Sequence, residues 1–180
     1  MNASADIIVT DRIESDGAHQ IMTATKNFNL GSAKYMFGLK MYDKTYSKDW
    51  VLLVSSYNYI PESSEILLKL GNDDIVYLKA NNVNVGKIHK PGYGYVIGNV
   101  VATQPTHEVN YYVSLYEIST DLLDRIELHG IKKVRISDGV EYRDKEFKKN
   151  ALGKHLIKSY KAILKRLSTS PMNNDLFDNF

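Results

Sequence analysis

Cysteine is absent from the chain, which excludes disulfides, thiolate nucleophiles and every zinc site that needs sulfur ligands. Long apolar runs are missing too: nothing approaches the roughly 18 continuous residues of a membrane-crossing helix. At the N-terminus, MNASADIIVTDRI carries Asp6 and Asp11, has no basic leader region and offers only Ile7, Ile8 and Val9 as an apolar block. The segment is therefore expected to be retained, and the protein to be cytoplasmic with no membrane partner. Catalytic motifs are equally scarce. His19, His89, His107, His129 and His155 show neither HxH nor HExxH spacing, so surface or capping roles are expected of them rather than metal ligation. A GxSxG elbow is lacking. The glycines of GYGYVIG at 92 to 98 suggest a phosphate loop, but no Lys-Ser/Thr follows and no helix begins there, so the stretch reads as a turn entering a strand. The acid pairs Asp73-Asp74 and Asp43/Asp49 lie among turn residues, where carboxylates satisfy local amides. Catalytic, metal-binding and cofactor-binding residues are accordingly none, and no cofactor is expected.

What is present is a strong core pattern. With 180 residues and 43% hydrophobic content, the chain can bury a core unaided, and one globular domain over 1–168 followed by a flexible polar, acidic tail over 169–180 is expected. From about residue 20 to 117 apolar and aromatic residues recur at period two, the mark of strands. Tyr35, Phe37, Leu39 and Met41 share one face while Lys34 and Lys40 take the other. WVLLV at 50 to 54 does not alternate, as expected of a central strand or one covered on both faces. ILLKL and IVYLK flank Gly71-Asn72-Asp73-Asp74; a hairpin pairing Leu70 with Ile75 sets Leu68 opposite Tyr77. Further strands are expected near 83–88, 95–103 and 108–117, separated by Asn81-Asn82, Pro91-Gly92 and Pro105.

The period then changes. Ser119 or Thr120 caps a short helix with Asp121 in its first turn, and Gly130 suits the left-handed position that ends it. KKVRISDGVEYRD follows as a hairpin, for which face-matching favours a three-residue loop, Ser137 to Gly139, pairing Ile136 with Val140, Arg135 with Glu141 and Val134 with Tyr142. Gly139 is then expected at positive φ. A last helix over 147–168 puts Leu152, Leu156, Tyr160, Ile163, Leu164 and Leu167 on one arc. The fold class expected is α+β: an antiparallel sheet or sandwich of about eight to ten strands, one short helix, and a C-terminal amphipathic helix packed on the sheet.

Charge is distributed unevenly. Residues 1–130 hold 11 basic and 15 acidic side chains, residues 131–167 hold 12 and 4, and the tail holds 2 acids, although the net charge is only +2. Lys154, Lys158, Lys161 and Lys165 repeat along the polar side of the last helix with no acid between them, and Lys132, Lys133, Arg135 and Arg143 on the preceding hairpin are expected to extend the basic surface. Asp144 and Glu146 are expected to lie at the start of the helix and favour its dipole. These eight residues are the candidate contacts for nucleic acid or another polyanion, against the plainer reading of a solvated helix face. Thirteen tyrosines against five phenylalanines suit half-buried strands; the sharper reading is an aromatic platform using Tyr93, Tyr95, Tyr111, Tyr112 and Tyr116.

The ordered set Trp50, Ile60-Pro61, Ser64, Ile66 to Gly71, Tyr116-x-Ile118-Ser119, Leu122, Gly130-Ile131-x-Lys133-x-Arg135-Ile136 and Leu152-Gly153-Lys154 resembles a pattern in uncharacterised bacterial single-domain proteins with no assigned function. The resemblance implies one β-rich domain ending in a helix. The last residues, NNDLFDNF, resemble the protein-binding tips of bacterial single-stranded DNA-binding proteins, which implies a protein partner, beside the plainer reading of chance composition in a tail. A non-catalytic binding or adaptor module is the leading expectation; polyanion binding, and an enzyme whose site is assembled from remote loops, are the alternatives.

Overall fold

The computed structural model describes residues 7–97, 100–137 and 141–169. In chain order the elements are β1 (Ile8–Ile13), β2 (His19–Thr23), β3 (Lys26–Leu30), β4 (Ala33–Lys44), β5 (Ser47–Ser56), β6 (Glu65–Leu70), β7 (Ile75–Lys90), β8 (Tyr93–Ile97), β9 (Val100–Gln104), β10 (His107–Glu117), α1 (Thr120–His129), β11 (Ile131–Ser137), β12 (Tyr142–Glu146) and α2 (Ala151–Thr169). Ten strands make one antiparallel sheet in the order β1-β2-β4-β5-β10-β7-β6-β11-β12, with β3 also on β4, and β8-β9 form a separate ribbon. The class is α+β, with both helices packed on the sheet. Period two builds the centre. Tyr35, Phe37, Leu39 and Met41 of β4 are fully buried, and β5 runs between β4 and β10 with every residue from Trp50 to Ser56 buried.

One strand shapes the sheet. β7 pairs with β6 through Ile75–Lys79 and with β10 from Ala80 to Lys90. Ala80 stands opposite Tyr116 and Asn82 opposite Leu115, so Asn81 is an extra residue, a bulge of the kind that bends a strand. The break expected at Asn81-Asn82 is this bulge, and the strand continues through it. α2 touches β1, β2, β4 and β11, and β12 lies against β3. α2 therefore reaches β1 at one end of the strand order and β11, next to the other end. β1, ahead of the region expected to be strand, joins through Asp11, which pairs with Arg166 near the end of α2.

Both hairpin registers differ from expectation. Lys69 faces Ile75 and Leu68 faces Val76, one residue away from the expected pairing, because Asp73 takes a positive φ of 69° and closes a shorter loop. Leu68 and Val76 then share the core side, and Tyr77 turns outward at 55% exposure. In the second hairpin Ser137 pairs with Tyr142, Ile136 with Arg143, Arg135 with Asp144 and Val134 with Lys145. Matching apolar to apolar fails here because β12 ends the strand order. Its charges face inward, a common guard on sheet edges: Lys145 lies 5.9 Å from the Phe147 ring centroid and Arg143 reaches Ser32 Oγ at 3.4 Å. Gly139 and its φ lie outside the described residues.

α1 follows the expected capping. Ser119 Oγ accepts from Leu122 N–H at 3.1 Å, and Gly130, at φ 72°, donates its N–H to Ile126 O at 2.8 Å. α2 begins at Ala151, four residues later than expected, because Phe147 N–H bonds Lys132 O at 2.8 Å and Asn150 adopts a φ of 50°. No acid lies in its first turn; Asp144 and Glu146 belong to β12. Leu152, Leu156 and Ile163 are fully buried, Tyr160 is half-buried with its ring 4.8 Å from that of Trp50, and Leu164 is 40% exposed, outside the core arc.

Candidate functional site: a lysine-walled groove between the helices

A groove of about 680 Å³ runs along α2 and is lined by Ile7, Ile126, Glu127, Asn150, Gly153, Lys154, Ile157, Lys158, Lys161, Ala162 and Lys165. Its α2 residues recur at three- and four-residue steps, so one face of the helix forms one wall. Ile126 and Ala162 are buried at its base, while Ile7 and Ile157 are half-buried and leave apolar surface to the groove. All four lysines expected on the helix stripe lie here. Lys161 pairs with Glu127 of α1. Lys154 and Lys158 are exposed and make no ion pair among the described residues. Arg166 faces away, toward Asp11, whose other oxygen lies 2.5 Å from His19 Nε2.

The hairpin cations do not join this surface. Lys132, Lys133 and Arg135 line a separate depression of about 280 Å³ with Leu67, Lys69, Ile75 and Glu146. Each has an acid: Lys132 meets Asp73 at 3.1 Å, Lys133 meets Asp144 at 2.7 Å, and Arg135 grips both oxygens of Asp144 at 2.6 and 2.7 Å. The Arg135 guanidinium, then Lys133, hold the Asp144 carboxyl down at about 2. Arg143 stands on the other side of β12, opposite Ile136 and 3.6 Å from Glu141. The eight candidate cations therefore divide into a set along the α2 groove, of which Lys154 and Lys158 make no ion pair among the described residues, and a set held in ion pairs around the hairpin.

Asn150 fixes the end of the groove, and no motif marks it in advance. Its Oδ1 accepts from Ile131 N–H at 2.7 Å, and its carbonyl accepts from Lys154 N–H at 3.0 Å. A Cβ on Gly153 would stand 2.1 Å from Asn150 Oδ1, one on Gly130 2.5 Å from its Nδ2, and one on Gly71 2.1 Å from His129 O. Gly71 N–H also bonds Gly130 O at 3.2 Å. Three glycines of the ordered pattern thus meet where α1, β11, α2 and the β6-β7 loop converge. The signal in the sequence is the glycines; the asparagine that needs them is silent.

The histidines are dispersed. His155 sits against β4 with Nε2 2.9 Å from Phe37 O, and burial, with Lys26 and Lys158 nearby, lowers its pKa. His89 and Lys87 flank Glu108, and His107 Nδ1 lies 3.4 Å from Pro105 O. Among the described residues no group of three or more His, Asp or Glu side chains could hold a metal ion. A third cavity, of about 560 Å³, brings Lys48, Asp49, Glu117, Ser119, Asp121 and Arg125 over Trp50 and Leu122, without a histidine. Of the expected aromatic platform, Tyr116 is fully buried and donates to Ser64 Oγ at 2.8 Å, so it is a core residue. Tyr111 and Tyr112 pack on Tyr57 and Tyr59 at ring separations of 5.4 and 5.5 Å. No described helix is long and apolar enough to cross a membrane. Comparison with protein-family models, curated proteins and solved structures finds no match to this chain.

Proposed function

We propose that the protein is a non-catalytic binding module of the bacterial cytoplasm, and that the α1–α2 groove takes a short peptide segment combining acidic and apolar side chains. One observation carries this reading: Lys154 and Lys158, which make no ion pair among the described residues, stand beside half-buried Ile157 and Ile7 in one groove. Helix-flanked apolar grooves commonly receive peptide segments, and charged rims select their sign. A bare polyanion would use the lysines and leave the apolar surface wet. It would also have to compete on the hairpin with the ion pairs that Lys132, Lys133 and Arg135 already make with Asp73 and Asp144.

The test is selection of a random displayed peptide library on the wild-type protein and on Lys154→Glu/Lys158→Glu. Enrichment of peptides carrying Asp or Glu beside Leu, Ile or Phe, lost on the variant, supports the groove. Equal enrichment on both proteins rejects it. The polyanion reading rests on the lysine repeat alone, and a salt titration of single-stranded DNA binding decides it. That reading requires a steep salt dependence that falls when the four α2 lysines become glutamine.

A further inference from the structure

The aromatic end NNDLFDNF lies outside the described residues. Within them, two exposed tyrosines share one open face of the sheet. Strand pairing sets Tyr77 of β7 beside Leu67 of β6, Leu67 beside Arg135 of β11, and Arg135 beside Asp144 of β12. Tyr142 stands two residues from Asp144 on the same side of β12, and Ile75, Lys69, Lys133 and Glu146 form the next row on that side. The rows between turn the other way, where Ile66, Leu68, Val134 and Ile136 are fully buried. Tyr77, Tyr142 and Ile75 are 55%, 64% and 65% exposed, and Leu67 is half-buried.

We infer that this face of β7, β6, β11 and β12 is a binding platform for a neutral oligosaccharide, stacked on Tyr77 and Tyr142 and hydrogen-bonded to the cluster of Arg135, Lys133 and Asp144. The α1–α2 groove plays no part in it. Three properties of the face carry the assignment.

The first is charge. Lys69, Lys79, Lys133 and Arg135 face outward with Glu65, Asp144 and Glu146, and Asp73 holds Lys69 at 2.9 Å. Four bases thus meet four acids, so the face as a whole is neutral. Arg135 and Lys133 already hold Asp144 at 2.6 to 2.7 Å. A phosphate chain would have to break such pairs, whereas a hydroxyl can donate to a remaining lone pair of the carboxylate, or accept from an unused N–H, while the pair stays intact.

The second is rigidity. The Tyr77 hydroxyl donates to Glu65, and the Arg135 guanidinium carbon lies 5.4 Å from the Tyr142 ring centroid. Both rings are held by neighbours on the same face before any ligand arrives, which lowers the ordering cost of stacking. A pyranose has an apolar face of C–H groups and a rim of hydroxyls, the counterpart of aromatic rings set beside hydrogen-bonding groups.

The third is size. Four strands and the five residues of each that pair across them make a face of roughly 19 by 17 Å, about 320 Å² in projection. A stable protein interface takes about 800 Å² from each partner, so a second copy of the chain finds too little here. Tyr77 and Tyr142 lie three strands apart, about 14 Å, which suits a short chain of sugar rings rather than one.

The experiment is native affinity electrophoresis of the full-length protein in gels carrying amylopectin, hydroxyethylcellulose, glucomannan or arabinoxylan, each mobility read against a sugar-free gel. Wild type is expected to be retarded in at least one of the four. Tyr77→Ala/Tyr142→Ala should lose that retardation. Both side chains are exposed, so this variant should keep the wild-type urea midpoint, which separates lost binding from lost fold. Tyr77→Phe/Tyr142→Phe, which keeps both rings, and Lys154→Glu/Lys158→Glu, which alters only the peptide groove, should still be retarded. No retardation of wild type in any gel, or equal retardation of the alanine variant, overturns the inference. Binding of oligo(dT), or self-association, that the alanine variant loses while no polysaccharide retards wild type also overturns it, and gives the face to that partner instead.

Discussion

Gly71 and Gly86 look alike in the sequence and stand in opposite situations. A Cβ at Gly71 would meet the backbone oxygen of His129 at 2.1 Å, whereas one at Gly86 would meet Tyr111 O at 3.9 Å, an ordinary contact. Neither has the positive φ that would confound the comparison. Gly71→Ala must push apart the β6-β7 loop and the end of α1, a displacement of main chain for which about 1–3 kcal/mol of destabilisation is expected. Gly86→Ala should change stability by less than about 0.5 kcal/mol, as surface substitutions away from special features do. Urea midpoints of the two variants decide the point, and equal midpoints would mean that the α1 terminus yields without cost. What was legible at this scale is instructive. The ordered pattern includes Gly71, Gly130 and Gly153, but its physical cause, Asn150 at φ 50° with its side chain on Ile131 N–H, has no sequence mark, because any polar residue before a helix reads as a possible cap.

At the scale of elements, the helix periods and the central strands were legible and the hairpin registers were not. Period two on β4 and the capping of α1 depend on the residues themselves. Register depends also on what lies across the strand, and β12, as an edge, turns Arg143 and Lys145 toward the side where matching demanded apolar residues. The lysine stripe was legible as a repeat, but its division from the hairpin cations was not, because Asp73 and Asp144 find those cations only through strand pairing. α2 tests the helix reading directly. Leu156 is fully buried, while Leu164, assigned by periodicity to the same arc, is 40% exposed. Leu156→Ala is expected to cost about 2–5 kcal/mol, the range for a tight core. Leu164→Ala should cost no more than about 0.5 kcal/mol, since it opens no cavity. Chemical denaturation of both variants checks the contrast, and a loss below ~0.5 kcal/mol for Leu156→Ala would mean that α2 is not docked.

Across the whole molecule, stability is expected to divide along β10. Its second half, from Tyr112 to Tyr116, lies between β5 and β7, but from His107 to Tyr111 it pairs with β7 alone. On the partner strand Val85 is 59% exposed and Gly86 and Lys87 are exposed. A two-stranded ribbon of this kind is marginal alone, and its backbone hydrogen bonds should open without the rest of the fold. β4 and β5 are enclosed by neighbouring strands, and α2 packs on β4, so their amides should exchange only on global unfolding. Hydrogen exchange read by mass spectrometry then gives two classes, with peptides from 86–90 and 107–111 early and those from 35–41 and 50–56 late. Leu156→Ala separates local from global opening. A loss of about 2–5 kcal/mol in global stability should accelerate exchange in the late peptides by about 30- to 4,000-fold, at tenfold per 1.4 kcal/mol, and leave the early ones unchanged. If the 86–90 and 107–111 peptides accelerate in parallel with β4 and β5, the ribbon belongs to the same cooperative unit and the division along β10 is wrong.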